Sequence, residues 1–165
     1  MSITKPTADW TLDFELKDGD RQAALAEAGR VLAGWGLTMP PGEPLVIHFG
    51  LHEFARIGEV EYWIVNDRTN DYCGKFLFLF DGQRCPLHYH KIKDETFFVV
   101  KGRVSMEVDG EPLSLNEGDT YKMAPGRSHT FAAEGGPALV LEVSLPSLPE
   151  DNFFADKRIG RNGVI

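Results

Sequence analysis

Sulfur, histidine and positive charge are all scarce in this chain of 165 residues. Its two cysteines, Cys73 and Cys85, form no Cys-x-x-Cys pair and cannot build a disulfide scaffold, so two reduced thiols are expected. Lys and Arg total 17 against 25 Asp and Glu, a formal net charge of -8. That balance excludes a broad phosphate-binding surface and, with it, a nucleic-acid partner. No apolar run approaches the length of a membrane span; the greasiest stretch, Phe76 to Phe80, reads as a strand. Met1 to Trp10 has no apolar signal core, which makes the cytoplasm the expected address and a membrane partner unexpected. Internal repeats, low-complexity tracts and a second domain are lacking too. What is present, 42% apolar and 25% charged residues, is the composition of one folded globular domain.

The hydrophobic pattern changes period along the chain. Residues 20–35 read as an amphipathic helix, with Ala24, Leu25, Ala28, Val31, Leu32 and Trp35 on one stripe and Gly34, Gly36, Pro40 and Pro41 ending it. From residue 45 the period is that of strands, expected at 46–49, 61–65, 74–80, 95–101, 104–108, 119–123, 129–132 and 138–144. Turn pairs separate them, and Asp109-Gly110 is a strong tight-hairpin signal. Many short strands with no helix between them predict an antiparallel sandwich or barrel. Phe153 and Phe154 suggest that the tail folds back onto it.

Three of the five histidines fall in a pattern. His88 and His90 are two apart, so in a strand both face the same side. Glu95 is an odd step from His90, which requires a turn or bulge between Lys91 and Asp94 if both are to face inward. His129 opens a later strand. Three imidazoles and a carboxylate suit a first-row divalent metal, and burying them without one would leave polar groups unpaired. His48 and His52 read as ordinary residues.

The spacing Gly82, His88-Tyr89-His90, Glu95, Gly102 resembles the first motif of the cupin superfamily at every fixed position. Gly118, Ala124-Pro125-Gly126, His129 and Ala133 resemble the second, with Ala at the motif's Pro and Asn positions. The resemblance implies a mainly β fold, the cupin jelly-roll barrel, with an N-terminal helix. It implies metal ligands His88, His90, Glu95 and His129. Residues 1–59 are then the helix and leading strands packing on the barrel, 60–145 the barrel, and 146–165 a tail folding back on it.

Asp71-Tyr72-Cys73-Gly74-Lys75, Gly82 to His88, Lys93 to Phe97 and Phe154 to Ile159 are similar to the D-lyxose isomerase group of cupins. That resemblance implies a metal-dependent aldose–ketose isomerase, with Mn2+ as the expected ion and Fe2+, Zn2+, Ni2+ or Co2+ as alternatives. Isomerisation needs an acid/base pair near the metal. Lys93 shares the inward parity of Glu95 and occupies the slot where this group carries a functional lysine. A nearby cation is expected to lower its pKa, and the alternative is an exposed turn lysine. Lys75 and Glu142 are the other candidates, each alone in an apolar strand. Lys75 either faces inward or reaches solvent from a strand end, and the parity of 138–144 leaves Glu142 inward or outward. Tyr89 should point away from the metal, and Arg158 either closes over the barrel mouth or pairs with an acid. The scarcity of Arg and Lys near the mouth favours a free monosaccharide over a phosphosugar. Surplus aromatic surface, as at Phe76, Phe78, Phe80 and Phe98, suggests a homodimer. Two rival readings use the same ligands: an Fe(II) cupin dioxygenase and a non-enzymatic sugar-binding cupin.

Overall fold

The computed structural model describes residues 13–165; the reading of Met1 to Trp10 lies outside them. Helix α1 (Asp18–Gly34) is followed by strands β1 (Leu45–Ile47), β2 (Glu59–Asp67), β3 (Tyr72–Leu79), β4 (Arg84–Tyr89), β5 (Glu95–Lys101) and β6 (Arg103–Val108). Then come β7 (Glu111–Asn116), β8 (Thr120–Met123), β9 (His129–Ala133), β10 (Ala138–Ser144), a 3-10 turn at Pro149–Asp151 and β11 (Phe153–Phe154). One sheet has the order β1-β2-β3-β10-β5-β8 and the other β11-β4-β9-β6-β7. All strand pairings are antiparallel. The crossovers that place β10 between β3 and β5, and β9 between β4 and β6, give the jelly-roll expected from the sequence.

The sheet of six strands is apolar on both faces because it is covered on both. Its outer face carries Val60, Tyr62, Phe78 and Leu139, onto which Ala28 and Leu32 of α1 pack, with Ala24, Leu25, Val31 and Trp35 half-buried beside them. That is the stripe read from the sequence, and Trp35 meets Phe78 with ring centroids 6.1 Å apart. Its inner face meets the second sheet around Leu79, Val99, Val104, Met106, Phe131 and Ala133.

Two glycine-bearing turns fix the register. Asp109 (φ 51) and Gly110 (φ 85) both lie in the left-handed region and join β6 to β7 with Val108 opposite Glu111, a two-residue hairpin of the type that suits right-twisted strands. At Gly102 (φ +82) a Cβ would stand 2.5 Å from the Pro137 carbonyl oxygen, so no other residue fits.

Several boundaries differ from expectation. β7 was not expected, because Pro112 interrupts it; it is an edge strand, where a proline removes no ladder bond that the sheet needs. β2 is longer than expected and begins at Glu59. β1 stops at Ile47, since Phe49 has φ 54 and leaves the strand. Both cysteines are free and buried. Among the described residues no helix is long and apolar enough to cross a membrane.

Candidate active site

Two pairs of neighbouring strands, β10 and β5 in one sheet and β4 and β9 in the other, present their polar residues at one end of the barrel. β4 brings His88 and leads into His90, β9 begins with His129, β5 begins with Glu95, and β10 ends with Glu142 and Ser144. Antiparallel pairing collects these strand ends: His88 lies opposite His129, and Ser144 opposite Glu95. The bend required between His90 and Glu95 is there, at Lys91 and Ile92. Asp151 holds it, its carboxylate accepting hydrogen bonds from the backbone N–H groups of Lys91 (2.9 Å), Ile92 (3.1 Å) and Lys93 (3.0 Å).

Each of the three imidazoles is oriented by a backbone carbonyl. Nδ1 of His88 lies 2.8 Å from the Pro86 oxygen, that of His90 2.8 Å from the Asp151 oxygen, and that of His129 3.1 Å from the Arg127 oxygen. A carbonyl only accepts, so each Nδ1 donates, and the neutral ring keeps its lone pair on Nε2. The three rings can offer ligand atoms within 4.8 Å of one another. Glu95 completes the group: Oε1 is 3.5 Å from His90 Nε2 and Oε2 is 3.4 Å from His129 Nε2. Glu95 Oε2 and His129 Nε2 are buried with no hydrogen-bond partner. Three lone pairs and an orphaned carboxylate oxygen around one point fit a divalent cation and little else. Burial, together with the neighbouring imidazoles, holds His88 well below the usual histidine range; burial also lowers His90. Both rings are thus kept neutral, the form that ligates.

Lys93, Glu142 and Lys75 all face inward and are buried, at 4%, 2% and 7% exposure. Lys93 Nζ is 2.7 Å from Glu95 Oε1 and 2.5 Å from Glu142 Oε1. Lys75 Nζ is 2.6 Å from Glu61 Oε1 and 3.5 Å from Glu142 Oε2, and sits 4.9 Å from the centre of a Trp63 ring. The solvent-reaching alternatives for both lysines therefore fall away, and Glu142 is inward. The protein groups around Lys93 act opposite to the pKa lowering expected of a nearby cation. Burial pulls it down, but Glu142 and Glu95 outweigh burial and hold the ammonium above the usual lysine range. Glu142 answers in kind: burial pushes its carboxyl up, and Lys75 and Lys93 pull it well below the usual range. Ser144 adds a hydroxyl hydrogen bond to Glu142 Oε1 at 2.9 Å.

Besides Asp151, two acids inside the barrel were missed by sequence reasoning. Glu61 accepts from Lys75 and from Trp63 Nε1 (3.0 Å), and Glu59 lies beside it; both are inward and buried. Their alternation with Val60 and Tyr62 in β2 was the available signal. Both acids line one cavity with His88, His90, Glu95, Lys75, Lys93 and Glu142, with about 100 Å3 free for solvent, room for several waters. Phe154 of β11 packs on His88, with centroids 5.4 Å apart, and Phe49 on Phe154. Tyr89 stacks on Phe153, away from the histidines, and Arg158 pairs with Asp156 at 2.6 Å on the surface. Asp13, His48 and His52 also approach one another. There Lys17 takes Asp13 (2.8 Å) and His48 Nδ1 accepts from the Gly50 N–H (3.1 Å), so Asp13 and His48 are engaged by their own neighbours.

Residues 78–144 match the family model described as "Cupin domain". The D-lyxose ketol-isomerase of Cohnella laeviribosi is 33% identical over 162 residues, covering 79% of this chain and 87% of that protein. The chain belongs to the D-lyxose isomerase family of cupins. A second member, the D-lyxose/D-mannose isomerase of Thermosediminibacter oceani, is 34% identical over 143 residues, covering 70% of this chain and 78% of that one. Among solved structures, the L-ribose isomerase of Cellulomonas parahominis with L-ribose superposes with a TM-score of 0.74 at 18% identity, over 92% of this chain and 98% of that one. At that identity the likeness is one of fold.

Proposed function

We propose that this cupin is a metal-dependent aldose–ketose isomerase acting on a free monosaccharide, with His88, His90, Glu95 and His129 as metal ligands. The observation that carries the reading is the contact of Lys93 with both Glu95 and Glu142, which sets an acid/base pair directly against the ligand cluster. Mn2+ is the ion we favour, ahead of Fe2+, Zn2+, Ni2+ and Co2+, because one carboxylate among three imidazoles shifts the preference toward harder ions. When bound, the ion supplies a Lewis acid that polarises the sugar carbonyl.

The rest is the work of this chain's residues. Glu142, held ionised by Lys75 and Lys93, accepts the carbon-bound proton and returns it to the neighbouring carbon. Lys93, held protonated, donates to the sugar oxygen that gains a proton in the ketol exchange and takes back the proton that the neighbouring hydroxyl loses, so the amine ends as it began. Lys75 does not touch the ligand cluster; it fixes Glu142 and Glu61, a positioning role. Phe49, Phe154 and Trp63 give the cavity dry walls that strengthen these charges.

We place the protein in the cytoplasm because its two buried thiols are reduced. We also propose a homodimer. Ile64, Phe98 and Val143 remain exposed on the outer face of the larger sheet, beyond the reach of α1. Light scattering showing a monomer at micromolar concentration would remove that proposal.

The functional reading is tested by NMR of the Mn(II)-loaded protein in D2O with a panel of aldoses and ketoses. Interconversion with deuterium entering at C1 or C2 is the expected result. Oxygen uptake with Fe(II) and no sugar conversion would favour a dioxygenase. Sugar binding without turnover would favour the non-enzymatic reading.

A further inference from the structure

The isomerase reading employs one end of the cavity and leaves Glu59 without a task. Glu59 opens β2, is 4% exposed, and lines the same cavity as His88 and Lys93. Its Oε2 is buried with no hydrogen-bond partner. Nearby walls are apolar: Leu45, Ile47 and Leu77. Strand register places it away from the ligands. Glu142 is level with Lys75, Val140 with Leu77 and Glu61, and Glu59 stands one inward position beyond Glu61.

The charged and titratable groups that face Glu59 are Glu61 from its own strand, Lys75 from β3, Glu142 from β10 and Cys85 from β4. Lys75 is already shared between Glu61 and Glu142, so no cation is left for a further carboxylate. Burial first, and then the Glu61 carboxylate, push Glu59 up to about 8. Around neutral pH it is a carboxylic acid, able both to donate and to accept.

We infer that Glu59 forms a subsite for a hydroxyl group on the part of the sugar that does not react. A polyol leaving water must replace its hydrogen bonds, and a buried carboxyl oxygen without a partner has the complementary need. The metal ligands, Lys93 and Glu142 take the carbonyl end, and Glu59 takes a hydroxyl further along the carbon chain. This rests on the sugar reading of the cavity, and its test is separable from that reading because it uses a ligand that cannot be isomerised.

The probe is a panel of five-carbon alditols, which carry no carbonyl, titrated by calorimetry into the Mn(II)-loaded full-length protein at pH 7 and pH 9. The expected results are alditol binding by the unmodified protein, about tenfold weaker binding by Glu59→Leu, and binding within about threefold for Glu59→Gln, whose amide still donates and accepts. The advantage of the unmodified protein over Glu59→Gln should also shrink from pH 7 to pH 9, as Glu59 loses its proton. Absence of alditol binding, or equal affinity for the unmodified protein and Glu59→Leu, overturns the inference. So does a Glu59→Gln variant as weak as Glu59→Leu, or a ratio to Glu59→Gln that ignores pH. If Glu59→Leu does not fold, the comparison with Glu59→Gln across pH decides alone. Turnover with Glu59-independent alditol binding sinks the subsite and leaves the isomerase; Glu59-dependent binding with no turnover of any sugar does the reverse.

Discussion

The two halves of the barrel interior are built from the same strands and obey opposite rules. Along β5 the inward residues run Glu95, Phe97, Val99; along β9, His129, Phe131, Ala133; along β10, Ser144, Glu142, Val140, Ala138. Each strand packs at one end and carries polar or ionisable side chains at the other. The apolar half holds Val99, Val104, Met106, Ala133 and Ala138 close-packed. The charged half buries Glu95 and Glu142 against Lys75 and Lys93, and β2 carries two more buried carboxyls, Glu61 level with Val140 and Glu59 beyond it. Burying so many charges is costly unless they neutralise one another. With Glu59 protonated, three carboxylates face two ammonium groups, and the surplus negative charge lies with the donors suited to a divalent cation. The packed half supplies the stability that lets the other half keep its charges in place.

Changes in the charged half should therefore damage rate most, and changes in the packed half should damage stability alone. Glu142→Gln and Lys93→Met are expected to lower kcat by about 10²–10⁴, the usual contribution of a positioned acid or base. Lys93→Met should also cost about 3–5 kcal/mol in urea unfolding, because Glu95 and Glu142 lose a shared buried partner. Loading with Mn(II) should restore part of that loss in the unfolding curve, since a cation replaces the missing positive charge. Met106→Ala, in the packed half, is expected to cost about 2–5 kcal/mol through transfer and cavity terms. Its Mn(II) affinity by calorimetry should match that of the unmodified protein. A loss of metal affinity there would show that the two halves are not separable.

The same division explains what was legible beforehand. The clustering of His88, His90 and Glu95 was legible because they stand close in sequence and the odd step between His90 and Glu95 demanded the bend seen at Lys91 and Ile92. Glu142 and Lys75 were ambiguous because α1 covers the outer face of their sheet, which makes both faces apolar and erases the alternation that would reveal direction. Glu59 was overlooked because β2 was expected to start two residues late, whereas Glu61 fell inside the expected strand and its shared parity with Trp63 was legible but not used. Asp151 left no side-chain pattern at all: it acts on backbone groups some sixty residues away, and only the folded tail brings them together.

Glu59 offers a finer test through the pH dependence of stability. Its carboxyl is raised from 4.5 in the unfolded chain to about 8 in the fold. Between those values the folded state holds a proton that the unfolded state has released. Its contribution to stability is therefore intact below pH 4.5, declines as pH rises, and is fully lost above pH 8. Glu59→Gln removes this decline. Its stability relative to the unmodified protein should rise by roughly 4 kcal/mol between pH 5 and pH 9, read from denaturant midpoints. A constant difference across that range would mean that Glu59 is ionised throughout.

Asp151 makes the smallest and most specific break. Its carboxylate gathers the three N–H groups of Lys91, Ile92 and Lys93, and its carbonyl oxygen holds His90 Nδ1. Asp151→Ala keeps the carbonyl and removes only the carboxylate, so His90 stays oriented while the bend between His90 and Glu95 loosens. Mn(II) affinity is then expected to fall by about 10–100-fold, the size typical of losing a group that orients metal ligands. The apolar half should not register the change: near-UV circular dichroism and the Phe131 environment should be preserved. Asp151→Asn, which keeps one acceptor oxygen, should recover part of the affinity. Unchanged affinity in Asp151→Ala would mean that strand pairing of β4 and β5 holds the bend without the tail, and that the tail serves only to bring Phe154 over His88.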